Sequence, residues 1–289
     1  MITLNELNSL SESEAFNHLE KCCVSDSWVN KMIESRPFES NEDLIDKAAS
    51  IWYDQCSIDD FLDAFSGHPK IGDVNSLKEK YANTADWAEN EQGKMSEANM
   101  DVIADLAEAN TLYEDKFGYI FIVSASGKSA SEMLSIVSSR LAHNTEDELF
   151  LAINEQHKIT VIRLAKLIEG LAQSSELQSH ITTHALDTST GLPAKGITVT
   201  LKALNNEEWK PLCLGVTNSD GRISDVLPPG RKLIPGMYVM SFNTGNYFDD
   251  HNQTGFYPEV TVQFEVTNAN HYHIPLLISP FGYSTYRGS

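Results

Sequence analysis

Positive charge is scarce in this sequence. Lys and Arg number 21 against 41 Asp and Glu, a net charge of −20. A surface of that sign repels nucleic acid and anionic lipid, so neither is an expected partner. Cysteine is scarce too. Cys22, Cys23, Cys56 and Cys213 form no CxxC pair. Adjacent cysteines rarely bridge each other, so reduced thiols in a cytoplasmic protein are expected. No apolar run reaches the roughly 18–20 residues that cross a bilayer. The first sixteen residues have neither a basic nor an apolar signal region, so no secretory leader is expected. With 41% apolar and 21% charged residues, the chain is not disordered, collagenous or coiled coil.

What is present falls into two parts. Residues 1–173 hold 31 acidic and 14 basic residues, 2 prolines and 6 glycines; residues 174–289 hold 10, 7, 8 and 10. Proline and glycine punctuate turns, and a domain of short strands needs many turns. The composition therefore predicts an all-α domain over 1–173 and an all-β domain over 174–289. The polar stretch from Gln173 to Glu176 would link two independent cores.

In the first part, Ser11 and Glu14 form a capping box ahead of Phe16, Leu19 and Cys23. Ser40 precedes Leu44, Ala48 and Trp52 at i, i+4 spacing. Ser57 caps a helix through Phe61 and Phe65 that Gly67 ends. Thr145 and Glu148 read as a further capping box, opening a long helix that carries Arg163. Tyr119 to Val123 is an apolar run too short for a buried helix and is expected to be extended. In the second part, Ile197, Val199 and Leu201 alternate with polar residues. Tyr238–Phe242, Val260–Val266 and Tyr272–Ile278 are similar runs, and turn signals recur at Asn218–Gly221 and Leu227–Gly230. Such spacing predicts a β-sandwich.

Several polar residues could carry chemistry. His184 is expected at the start of a strand, Arg222 follows an Asp-Gly turn, and His271 and His273 share one strand face at period 2. A His-x-His pair of this kind is a solvated surface pair, part of a zinc site, or a metal-free catalytic pair. No cysteine or carboxylate cluster nearby completes a zinc site. In the helical part, His68 after Gly67 reads on its own as a solvated helix end, Glu91 as surface charge and Arg163 as an ion-pair partner.

Longer motifs narrow these readings. His184-Ala185-Leu186-Asp187, Thr217 to Arg222, Tyr272-His273-Ile274-Pro275 and the final Tyr286-Arg287-Gly288-Ser289 together resemble the 5-hydroxyisourate hydrolase family, the enzymatic relatives of transthyretin, over about residues 179–289. The resemblance implies metal-free ring-opening hydrolysis. His184 and His273 would supply acid–base catalysis and Arg222 oxyanion stabilisation, with Tyr286 and Ser289 lining a pocket built between subunits of a homotetramer. The stretch His68-Pro69-Lys70-Ile71-Gly72, then Glu91-Gln92, then Lys116 to Tyr119, then Lys158-Ile159-Thr160 with Arg163, resembles the 2-oxo-4-hydroxy-4-carboxy-5-ureidoimidazoline (OHCU) decarboxylase family over about residues 5–170. That resemblance implies an all-helical fold and cofactor-free decarboxylation. His68 would be the proton donor and Glu91 its orienting partner. Pro69, Gln92, Arg163 and the backbone around Val123 and Ala125 would hold substrate. Ala88 stands where that family commonly has serine, which removes one hydroxyl contact.

The first family's product is the second family's substrate, so the pair implies one bifunctional enzyme of urate breakdown acting on small purine-derived substrates. No metal and no cofactor are expected. Two alternatives remain: a transthyretin-like binding protein, and a hydrolase whose helical half is impaired at Ala88.

Overall fold

A computed structural model of the chain describes residues 1–68, 97–125, 128–173 and 177–288. The first part is helical: α1 (Leu4–Ser9), α2 (Glu12–Leu19), α3 (Asp26–Glu34), α4 (Asn41–Gln55), α5 (Ile58–Ser66), α6 (Glu97–Phe117), α7 (Ala130–Arg140) and α8 (Thr145–Leu167). The helices begin where short side chains satisfy free N–H groups. Ser11 and Glu14 exchange both bonds of a capping box at α2, and Ser57 and Asp60 do the same at α5. The apolar faces meet in a core around Leu19, Trp28, Trp52 and Phe65. The two tryptophan N–H groups are satisfied there, Trp28 Nε1 by the Ala48 carbonyl at 3.1 Å and Trp52 Nε1 by that of Ile153 at 3.0 Å.

Two local expectations need correction. The cap of α8 is Asn144, whose side chain accepts from Asp147 N at 2.9 Å. Glu148 does not reach back to a cap. It is fully buried and accepts from Arg140 Nε at 2.7 Å and from the Tyr113 hydroxyl. Gly67 ends α5, but at φ −72°, where any residue fits. Its absent side chain serves close packing instead: a Cβ there would lie 2.5 Å from Val24 Cγ2. Tyr119 to Val123 forms no helix, in line with so short an apolar run, and joins neither sheet.

The second part is a two-sheet sandwich. Its strands are β1 (Ile181–Asp187), β2 (Leu192–Pro193), β3 (Thr198–Asn205), β4 (Glu208–Val216), β5 (Arg222–Ile223), β6 (Gly236–Phe242), β7 (Val260–Val266), β8 (Tyr272–Ser279) and β9 (Gly282–Thr285). One sheet runs β2-β1-β8-β9 with β5 also paired to β1; the other runs β4-β3-β6-β7. A short helix, α9 (Thr244–Asp250), follows β6. His184 is the fourth residue of β1 rather than its opening residue.

The cores are not independent. In α8 the polar run Asn154–Lys158 is buried throughout. Asn154 Nδ2 donates to the Leu212 carbonyl at 2.9 Å, and His157 Nε2 lies 3.2 Å from that of Pro229. Arg231 of the sandwich lies over the rings of Tyr53 and Phe150, 4.4 and 4.8 Å from their centroids. Gly230, at φ +77°, is pressed so closely on α4 that a Cβ would sit 2.8 Å from the Ile45 carbonyl oxygen. The expected independence of the two cores gives way to a sandwich that covers this polar face of α8.

The Arg140–Glu148 pair is fully buried. Replacing Glu148 by Ala strands the guanidinium and is expected to destabilise the fold by about 3–5 kcal/mol. Urea unfolding of native and variant protein measures this; a loss below about 1 kcal/mol contradicts the assignment.

Candidate active sites

In the sandwich, β1 positions three functional residues. Thr182, His184 and Leu186 form its half-exposed face, because side chains alternate along a strand. The antiparallel neighbour β5 sets Arg222 opposite His184. The parallel neighbour β8 sets His273 opposite Thr182. The register thus gathers His184, Arg222 and His273 on one face across three adjacent strands.

Thr182 is a residue that the sequence reading missed. Its Oγ1 lies 2.9 Å from His273 Nδ1 and 3.0 Å from His271 Nε2. It is two residues before His184, the strand spacing that shares a face, and that spacing could have pointed to it. His271 precedes β8 rather than lying in it, and its Nδ1 meets the Ser179 carbonyl at 3.0 Å. Among the described residues no group of three His, Cys, Asp or Glu side chains is arranged to hold a metal ion.

The electrostatics of the face are uniform. Partial burial pushes both His184 and His273 below the ordinary imidazole pKa, and the Arg222 charge adds to the effect on each. Both rings are therefore neutral near pH 7. The chain end closes over one of them. Gly288 N donates to the His273 carbonyl at 3.1 Å. A Cβ on Gly288 would lie 2.4 Å from His273 Cδ2. Tyr286 does not join the three residues within one chain. It is 58% exposed and borders a separate cavity of about 320 Å³ beside Tyr272 and Arg287. Ser289 lies outside the described residues.

In the helical part, His68 follows α5 and meets α8. Its Nε2 is 2.6 Å from Gln156 Oε1, and Arg163 Nη2 is 3.4 Å from its Nδ1. Arg163 Nη1 also reaches the Cys22 carbonyl at 3.4 Å. Both contacts fit a neutral ring with its proton on Nε2. Burial, opposed by the Gln156 hydrogen bond and reinforced by Arg163, holds the His68 pKa below the ordinary value. Gln156 is a second residue that the sequence reading missed. It stands seven residues before Arg163, two helical turns away on the same face. Pro69, Ala88, Glu91 and Gln92 lie outside the described residues.

The segment before α7 is tied to the same stretch of α8. Ser124 is buried, and its N–H donates to Glu155 Oε2 at 2.7 Å. Val123 and Ala125 flank it, half-buried. Adjacent residues of one helix therefore hold both His68 and the Val123–Ala125 segment.

None of the helices among the described residues is long and apolar enough to cross a membrane. All four cysteines are free. Residues 8–165 match the family model of OHCU decarboxylase, and residues 181–288 match that of the HIUase/Transthyretin family. The uric acid degradation bifunctional protein TTL of Arabidopsis thaliana is 33% identical, with 93% of this chain and 96% of the relative covered. The 5-hydroxyisourate hydrolase of Mus musculus is 43% identical over 38% of this chain and 96% of its own length. A crystal structure of (S)-allantoin synthase aligns over 100% of both chains at 25% identity with a TM-score of 0.46. With a family model on each half and a bifunctional relative along nearly its whole length, the chain belongs to the family of bifunctional urate-degradation proteins that join an OHCU decarboxylase to a 5-hydroxyisourate hydrolase of transthyretin type.

Proposed function

We propose that residues 174–289 hydrolyse 5-hydroxyisourate through His184, Arg222 and His273, and that residues 1–173 decarboxylate the resulting OHCU to (S)-allantoin through His68 and Arg163. The observation that carries the reading is the register of β1, which sets two neutral imidazoles beside one permanent cation. A neutral imidazole takes a proton from water as its oxygen attacks the ring carbonyl. The tetrahedral oxyanion forms beside the Arg222 guanidinium. The ring C–N bond then breaks, and the nitrogen receives the proton the imidazole took. Thr182 fixes the His273 ring through Nδ1.

His68 is neutral at rest, so the proton it delivers must first be collected. It takes the proton of the substrate's ring hydroxyl as carbon dioxide leaves. It then returns that proton to the adjacent ring carbon from one face, while the ring nitrogen that took up the electron pair left by carbon dioxide receives a proton from solvent. Arg163 and the backbone of Val123 and Ala125 hold the anionic substrate. By family resemblance Glu91, Gln92 and Pro69 complete this site, and Ala88 leaves it one hydroxyl short. Neither step calls for a metal or cofactor.

Assembly as a homotetramer through the sandwich is part of the same proposal. Phe256, Phe281, Tyr283 and Tyr286 are exposed on the sandwich, and burial of such aromatic surface between copies supports this reading. A subunit contact there brings Tyr286 and Ser289 to a pocket shared between copies. The cytoplasm, where the four thiols stay reduced, is the proposed compartment.

Three outcomes test the reading. In His68→Asn protein supplied with 5-hydroxyisourate generated by urate oxidase, the substrate absorbance should decay at the native rate while circular dichroism reports (S)-allantoin forming only spontaneously. Enzymatic (S)-allantoin formation by that variant removes His68 from the reaction. The second outcome concerns Arg222, which lowers both imidazole pKa values. Falling pH should therefore abolish hydrolysis only below the ordinary imidazole value of about 6.5. Arg222→Gln should raise the midpoints of both rings in an NMR titration and lower kcat about 10²–10³-fold. Unmoved midpoints contradict the arrangement. Thirdly, Gly288→Ala should displace His273 and cost about 10² in hydrolase rate while decarboxylation of supplied OHCU persists; a native hydrolase rate contradicts the close approach.

A further inference from the structure

A cavity of about 330 Å³ lies between the two domains, within the size range of small-ligand sites. Its lining includes Val123 and Ser124, from the segment assigned to the decarboxylase site, and Arg222, from the hydrolase site. One continuous space thus borders residues of both reactions.

The charges around this space are unequal in availability. Three carboxylates line it, and each is already engaged. Glu132 accepts from Ser129 N at 2.7 Å at the start of α7. Glu155 holds the Ser124 N–H and pairs with Lys158 Nζ at 2.8 Å. Asp225 of the sandwich faces the same Lys158 at 3.7 Å, and that charge draws its pKa below the usual carboxylate range. Lys158 is itself 6% exposed and spent on these two acids. The other two cations are differently placed. Lys128 Nζ donates to the Ser124 carbonyl at 2.7 Å, and its charge, after that of Lys158, also acts on Asp225. Among the described residues the Arg222 guanidinium has no hydrogen-bond or ion-pair partner. Two cations therefore line the cavity outside the Lys158 network, Lys128 on the decarboxylase side and Arg222 on the hydrolase side.

We propose that this cavity receives the carboxylate-bearing, ureido-substituted ring released by hydrolysis and passes it within one chain to the decarboxylase segment. The inference rests on the two activities proposed above. A carboxylate leaving Arg222 meets Lys128 before bulk solvent, next to the Val123–Ser124 backbone. The Glu155–Lys158–Asp225 network, two carboxylates on one ammonium, holds the intervening wall in place. No bond is made or broken in the transfer.

The test measures the lag before (S)-allantoin appears when full-length chain is given freshly generated 5-hydroxyisourate. The control is an equimolar mixture of His68→Asn and His273→Ala chains, in which the intermediate must change chains. Each half-reaction is also measured separately, with its own substrate, for every protein used. The lag for free diffusion is then calculated from those rates. The native chain should show a lag at least threefold shorter than calculated, and the mixture a lag equal to it. Lys128→Gln, which removes the charge, and Ser224→Trp, which fills the cavity from the sandwich side, should each lengthen the native lag to the value calculated from that variant's own rates. A native lag equal to the calculated one overturns transfer while leaving both activities standing. A short lag that survives both variants overturns the route through this cavity. Absence of either half-reaction in the native chain overturns the functional reading, and the transfer with it.

Discussion

Five consecutive polar residues of α8, Asn154 to Lys158, are buried, and the architecture follows from the need to satisfy them. A buried polar group without a partner costs about 1–3 kcal/mol, and a buried charge more. Three of the five reach partners in the sandwich, and the other two, Glu155 and Gln156, are satisfied within the helical part. Asn154 and His157 bond to sandwich carbonyls, Lys158 faces Asp225, and Gln156 turns the other way to His68. The helix is thus a common beam. Among the described residues one ring nitrogen of His157 has no partner, and burial drives its pKa down to about 3, so it stays neutral inside the joint.

The same beam aligns the decarboxylase groups. Glu155 and Gln156, one residue apart, hold Ser124 and His68 respectively. In the sandwich the equivalent frame is β1, flanked on one edge by β2 and β5 and on the other by β8. Backbone register, rather than side-chain packing, decides which residues share its outer face. Placement is therefore stiff: a slip of one residue in β5 or β8 would turn Arg222 or His273 to the opposite face.

Features set by neighbouring residues were legible in the sequence. The Ser11 and Ser57 caps, the alternating strands and the change of class between the halves all depend on local chemistry. Features set by the partner domain were not. The partners of Asn154 to Lys158 could not be read, because helical period carries no information about what lies across a face. Glu148 reads as a capping acid because its role depends on Arg140, eight residues away. Strand β4 was hidden by Pro211, which is tolerated because β4 is an edge strand and its pairing with β3 is irregular beside that residue. Thr182 and Gln156 were missed for a related reason: each acts by holding another residue, and neither belongs to a residue type that announces chemistry.

Gly230 shows what such a joint means over generations. The two halves meet where one methyl group is missing, and the space it leaves is filled by the backbone of α4. Almost any change at that codon forces the halves apart. Changes that suit one half alone are therefore filtered by the other, and the pair is inherited as a single unit of selection, although each half matches a family of its own.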